Sequence, residues 1–550
     1  MSKDDEGSAA RLRLRVAGSF SAAPAGRRFT VDATTFLETM AAAGLGCRVV
    51  VPDRLGIDAT RTFELAFARP RAFSLAEVVA ATPVLAALRE LAEALGRGDA
   101  ARVLPPELLV ERLGGIVGDG RLAAAVIRAL RPGERAPNAT PGAASGAEGV
   151  DRVFEQADFA PSDARLAVGA VDAFVKSMRE PSATARAAAP ATGLRAARQA
   201  IEEAVYATAR DLLGDPRVGQ LEGAWRGLKL LVDQCPAATP IAIEVIDTTI
   251  VGIDEVLAAE LADDSVDRPD LLVVVDPCDD AATLARLAEL GERLLAPVVA
   301  ALSPAFFGAS GPDDLLGRVD EPGGGVAEAW TALRGEESAR WLSVVVNRAV
   351  VASEGSAAAR RVAFTSPAFA LAAMLAASFR DTRSFARILG AVGALDAPAA
   401  WDIATGREAG VSAPTEVFCS LRAQAALAAL GVIGVGSGRN TSKLMLSTMP
   451  TARASADAVP LAAQIVTGRI VRFAEWVIEQ VPAGATDAEA ASLFEEAARV
   501  FLFAGVTEGA TLRAGVGQGA EGRRVVEIAV AVHAALAGIP FQMAFTLPLR

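Results

Sequence analysis

Arg11-Leu12-Arg13-Leu14-Arg15-Val16 alternates strictly, arginines on one side and aliphatics on the other, the period of a half-buried strand. Phe541, Met543, Phe545 and Leu547 alternate in the same way with Gln542, Ala544 and Thr546. Between these ends the pattern moves between helical and strand periods. Thr34 to Ala43 predicts a helix, and Thr62 to Phe67 an alternating strand. A helix follows from Ser74, with Leu75, Val78 and Val79 apolar. The next starts at Thr82, with Pro83 in its first turn and a stripe of Leu85, Leu88, Leu91 and Leu95. Two shorter helices are expected within 105–130. Leu221 to Asp233 reads as a packing helix, since Trp225, Leu228, Leu231 and Val232 share one face. After a break at Cys235-Pro236, Ile241 to Asp247 reads as a strand, as do the apolar runs Leu271 to Val275 and Trp341 to Val346.

The fold class this predicts is α/β, with mixed sheets flanked by helices and amphipathic edge strands at both chain ends. Residues 131–149 (Arg131-Pro132-Gly133 through Ala144-Ser145-Gly146) are too rich in Pro, Gly and small residues to hold a core. They read as a flexible linker between a module at 1–130 and the remainder. A second loose stretch, Glu180 to Gly193, sets a helical prelude at 150–192 apart from a larger module at 193–550. A strand near a chain end sits easily at a sheet edge. There it either closes its own sheet or templates pairing with another chain.

Composition narrows the function. The chain has 550 residues, of which 52 % are hydrophobic, ample for a sizeable core. A formal charge of −12 argues against a general nucleic-acid binder. The amino terminus is polar and partly acidic, unlike a secretory signal, and the Ala-rich apolar runs are broken by charges before they reach membrane-spanning length. Cys47, Cys235, Cys278 and Cys419 lack metal or disulfide spacing. A cytoplasmic location is expected, with no direct membrane insertion and no nucleic-acid partner.

Candidate chemistry is sparse. The single histidine, His533, follows an apolar alternating run and reads as a strand histidine pointing away from the core. Gly431 to Lys443 is glycine-rich, but Arg439 follows Gly438 and Lys443 comes four residues later, so a P-loop's Lys-Ser/Thr pair is missing. The run reads as a loop joining helix to strand; a nucleotide-dependent enzyme using Gly434–Lys443 is the alternative. In Asp276-Pro277-Cys278-Asp279-Asp280 an acidic residue is expected to cap the following helix rather than hold a cation. Glu336-Glu337, between Arg334 and Arg340, reads as a solvated or subunit-facing charge cluster. No catalytic, cofactor or metal residue is assigned, and no enzymatic activity is expected.

Several segments resemble the contractile sheath of bacterial type VI secretion. Phe63-Glu64-Leu65-Ala66-Phe67, Phe73 to Val79 and Thr82 to Leu91 are similar to its small (TssB-like) subunit. The segment around Trp-Arg-Gly-Leu at 225–228, Val150 to Gln156, Arg334 to Leu342 and Leu461 to Phe473 around Arg469 are similar to its large (TssC-like) subunit. The whole looks like a natural fusion of the two. The resemblance implies a structural subunit that polymerises into a helical tube around an inner tube, contracts, meets a baseplate and is recycled by an AAA+ ATPase. A phage-like or extracellular injection particle is the alternative setting. The resemblance also places an ATPase-recognition helix at Val150, Asp151, Val153 and Phe154. Leu12, Leu14 and Val16, with Phe541, Met543, Phe545 and Leu547, are the candidate strands linking protomers.

Overall fold

The computed structural model describes residues 11–96, 105–130, 183–258, 261, 267–319, 328–355, 360–404, 406, 408–503, 509–519 and 523–549. The chain divides into two compact units. The larger comprises residues 1–47, 66–73 and 214–550, the smaller residues 48–65 and 74–213. The units thus interleave along the sequence.

The larger unit is built on a seven-stranded sheet in the order 432–434, 342–346, 298–302, 271–278, 12–18, 241–247, 27–31. The first six strands run parallel, and only Arg27–Val31 is antiparallel to its neighbour. Parallel strands are covered on both faces, which is why Leu271-Leu272-Val273-Val274-Val275 and Leu342 to Val346 read as continuous apolar runs. On one face Leu272, Val274, Val298, Ala300, Leu342 and Val344 cluster with Leu284, Leu287, Leu290 and Leu294 of the helix Ala281–Leu294. Asp280 caps that helix, its carboxylate accepting from the Thr283 amide at 2.7 Å, as the sequence predicts. The cap holds the Asp280 carboxyl below its usual pKa through the Thr283 hydrogen bonds.

The strand Leu12–Gly18 corrects one expectation. It is not an edge strand. It lies between Ile241–Asp247 and Leu271–Cys278, in register Leu12 to Ile241 and Leu14 to Leu271, so both of its backbone edges are used within this chain. Leu12, Leu14 and Val16 are fully buried. The arginine face is covered as well: Arg15 pairs with Glu244, and Arg13 with Asp267 at 2.8 Å. Carboxylates fix both ends of the strand. At its start Asp270 accepts from the Arg13 amide (2.8 Å), from Arg469 (2.6 Å) and from Arg472 (2.5 Å). At its exit Asp276 accepts from the amide and hydroxyl of Ser19, and Asp247 from the amides of Phe20 and Ser21 and the Ser21 hydroxyl. Alternation predicts a strand, but not whether its partners lie beside it in sequence. Here they lie more than two hundred residues away.

The smaller unit is helical. Helices Leu75–Ala81, Pro83–Gly96, Pro106–Val117 and Arg121–Leu130 are joined by the long Ala183–Leu213. The first, second and fourth pack on that long helix. Ser74 caps the first, accepting from the Glu77 amide, and the second buries Leu85, Leu88, Leu91 and Leu95, its expected stripe. The loose stretch expected at 180–193 is helical from Ala183 onward: its alanines, the strongest helix formers, outweigh the signals of Pro190 and Gly193. Residues 131–149, and most of the 150–192 prelude, lie outside the described residues.

Candidate assembly surface

The carboxy-terminal strand Phe541–Pro548 belongs to a separate three-stranded antiparallel sheet, ordered 510–518, 524–532, 541–548. Phe541, Met543, Phe545 and Leu547 stand opposite Val532, Val530, Ile528 and Val526. Those four central residues are fully buried, whereas the closing strand's apolar residues are half-buried and Gln542, Ala544 and Thr546 are exposed.

The two margins of this sheet differ. Along Ala510–Gln518 the helix Asp487–Ala497 packs against the strand, and the Ala514 amide donates to the Glu495 carboxylate at 3.3 Å. Along Phe541–Pro548 no further strand pairs among the described residues. The run Phe-Gln-Met-Ala-Phe-Thr-Leu carries no charge. Exposed edges are usually blunted with charges, prolines or a covering element. Here Pro548 at the far end is the one such residue; the helix Leu461–Gln480 touches the strand, but no strand among the described residues pairs with its outer edge, which runs beside a half-covered apolar face. Of the predicted linking residues, the structure therefore puts Phe541, Met543, Phe545 and Leu547 at an open margin and Leu12, Leu14 and Val16 in a core. Val150, Asp151, Val153 and Phe154 lie outside the described residues.

The segment around Trp225 is a packing element, as expected. It lies in the helix Pro216–Val232, capped by Asp215. The Trp225 indole donates to the Phe20 carbonyl at 2.9 Å, stacks on Phe29 at 6.0 Å and meets Phe20 and Phe36 edge-on. Glycine recurs here because the neighbours come close. A Cβ on Gly223 would stand 2.7 Å from the Phe364 carbonyl, and one on Gly227 2.0 Å from the Thr365 hydroxyl. Gly227→Ala should therefore destabilise the protein by about 1–3 kcal/mol through overpacking, read as a lowered melting temperature. An unchanged melt would show that the helix shifts freely. Glu222, one turn earlier and fully buried, is neutralised by Arg226 at 2.8 Å and by Arg361.

The segments weighed for chemistry are built for packing. In the glycine-rich run, Val432–Gly434 ends the large sheet, and Gly436–Ser437 pairs with Lys443–Met445. A Cβ on Gly436 would strike the Gln424 amide and the Cys419 carbonyl, so these glycines answer to a close approach. The run is thus strand as well as loop, and its cations are partnered, Arg439 by Glu408 and Lys443 by Asp396. Glu337 pairs with Arg340 at 2.5 Å and Arg453 at 3.0 Å. His533 is exposed one residue past the strand Arg524–Val532, where it precedes a short helix. All four cysteines are buried, and burial pushes the Cys235 thiol up to about 12 and Cys278 to about 11. Among the described residues, no helix is long and apolar enough to cross a membrane.

Residues 261–453 match the family model of the VipB (EvpB/VC_A0108) tail sheath N-terminal domain. That segment is a contractile tail-sheath domain. The matched segment supplies four of the six parallel strands of the large sheet, together with the helix Ala281–Leu294. No curated protein matches the sequence. Among solved structures, the chain is similar to the sheath complex of an extracellular contractile injection system (PVC) in its contracted state. That match has 11 % identity and a TM-score of 0.35, covering 62 % of this chain and 81 % of that one. It is also similar to the baseplate of the anti-feeding prophage, at 12 % identity and TM-score 0.33, covering 60 % and 77 %. The third is the contracted helical sheath of the same prophage, at 13 % identity and TM-score 0.32, covering 59 % and 78 %.

Sequence reasoning did not find Asp270, which joins the amino-terminal strand to Arg469 and Arg472. Arg472 is itself buried, a setting that lowers its pKa to about 10 despite the nearby Asp270. The available signal was an isolated aspartate directly before the most apolar strand of the chain.

Proposed function

We propose that this subunit unites the roles of the small and large sheath proteins in one chain, with 131–149 as the tether. Many copies stack through a heterologous contact that does not close, which generates a helical tube. The tube surrounds an inner tube, starts from a baseplate and drives the inner tube forward by concerted rearrangement in the cytoplasm. The observation that carries this reading is the uncharged, open margin of Phe541–Pro548 in a chain with a tail-sheath domain. A neighbouring copy adds to that edge by backbone hydrogen bonds, which hold adjacent protomers together while their bodies move. Disassembly falls to an AAA+ ATPase gripping the segment with Val150, Val153 and Phe154 at i, i+3 and i+4 and Asp151 in its first turn.

Expressed alone, the chain is expected to form tubular or cogwheel-shaped particles in negative-stain micrographs. A stable monomer over a wide range of concentration and salt would overturn the proposal.

A further inference from the structure

The ladder beside Phe541–Pro548 fixes which backbone groups its outer edge offers. The Leu549 amide donates to the Arg524 carbonyl at 2.9 Å, so 524 and 549 form a hydrogen-bonded pair. In an antiparallel ladder such pairs recur at every second residue. With Phe541 opposite Val532 and Leu547 opposite Val526, the backbone groups of Phe541, Met543, Phe545 and Leu547 therefore turn inward, to Arg524–Val532. Those of Gln542, Ala544 and Thr546 turn outward, and these three residues are exposed. Pro548, and Pro540 just before the strand, share the outward phase and bring no N–H. The edge is thus a row of three donors with a proline at each end.

Side chains along this edge are symmetric in kind about Ala544. Counting outward from it, Met543 matches Phe545, Gln542 matches Thr546, Phe541 matches Leu547 and Pro540 matches Pro548. A second copy related by a two-fold axis at Ala544 therefore meets the edge antiparallel, with like residues opposite like. Ala544 faces its counterpart and Gln542 faces Thr546 on either side, each pair exchanging two backbone bonds. Apolar side chains meet on the half-covered face, and neither strand carries a charge to oppose the approach. We propose that this edge pairs with the same edge of a second copy, joining two three-stranded sheets into one. Unlike the stacking contact of a tube, this contact is isologous and closes on itself. It keeps an uncharged edge covered until a growing tube takes up the protomer; that reserve role rests on the assembly reading above, whereas the pairing does not.

Cysteine cross-linking of the full chain tests this, since all four native cysteines are buried. Counterparts in a hydrogen-bonded pair stand about 5.5 Å apart at Cα, within disulfide reach. After any tubes are pelleted, mild oxidation should turn most of the soluble Ala544→Cys protein into a covalent dimer. Gln542→Cys and Thr546→Cys should each give no covalent dimer alone, yet link to one another when mixed. Oxidised Ala544→Cys dimers should yield no tubes until they are reduced. A second readout uses charge at the same exposed position. Ala544→Asp and Ala544→Lys should each dimerise about two- to fivefold more weakly in sedimentation, and their mixture should recover. Absence of the Ala544→Cys dimer, or linking of Gln542→Cys with itself, overturns the pairing; tubes formed by the same protein would leave the assembly reading standing. Dimers from a protein that never forms tubes would uphold the pairing and overturn the reserve role.

Discussion

Chains of residues 1–130 and 150–550 are expected to be insoluble or unfolded when made separately and to form a folded complex when co-expressed. The reason is the place of the strand Leu12–Gly18, whose removal leaves Ile241–Asp247 and Leu271–Cys278 with no partner between them. Fully burying Leu12, Leu14 and Val16 contributes roughly 1.5–3 kcal/mol each, an upper estimate of about 5–9 kcal/mol together. That is comparable to the whole stability of an ordinary domain, about 5–15 kcal/mol. The backbone pairing and the contacts of Asp247, Asp270 and Asp276 would be lost as well. Soluble yield, co-purification of the two pieces and a cooperative thermal transition are the readouts. If residues 150–550 alone are soluble and melt cooperatively, the strand is an accessory rather than part of the core.

The second large effect is on assembly. Met543→Asp with Phe545→Asp keeps the chain length and puts two charges on the apolar side of the open margin. In the protomer both side chains are half-buried, so a carboxylate there can still reach water. Once a neighbour covers that face each charge would be buried unpaired, at a cost of several kcal/mol. The doubly substituted protein should melt within a few degrees of the original yet give no tubes in the microscope. Normal tubes would show that the closing strand does not link protomers.

Much of the fold was legible because its signals are local. The stripe of Leu85, Leu88, Leu91 and Leu95, the caps at Ser74 and Asp280 and the apolar run from Leu271 all depend on neighbours within a few residues. The closing strand was legible too, since its alternation matches its half-covered state. What escaped was non-local. The same alternation at 11–16 suggested an edge, but a period of two says only that one face is apolar. The arginine face turned out to be answered by Glu244 and Asp267, distant residues that no pattern near the strand reveals. Gly436 likewise looks like part of a phosphate loop until Gln424 and Cys419 are seen against it. The contrast between the two margins of the terminal sheet was illegible for a similar reason, because it depends on Glu495 reaching Ala514.

The inserted strand also sets a timetable for synthesis. Leu12–Gly18 leaves the ribosome before its partners, and the strands on either side of it are not complete until residues 247 and 278 have been made. At about 5–20 residues per second, that is a wait of roughly 12–50 s for the first of them. Throughout it, an aliphatic β-former is exposed in the cell, the kind of segment that seeds aggregation. Arg11, Arg13 and Arg15 flank and interrupt the aliphatics, and charged residues so placed keep such a segment from pairing with the wrong partner. Arg13 and Arg15, which end as ion pairs in the finished sheet, thus serve the nascent chain first, as gatekeepers holding the strand soluble until its partners emerge.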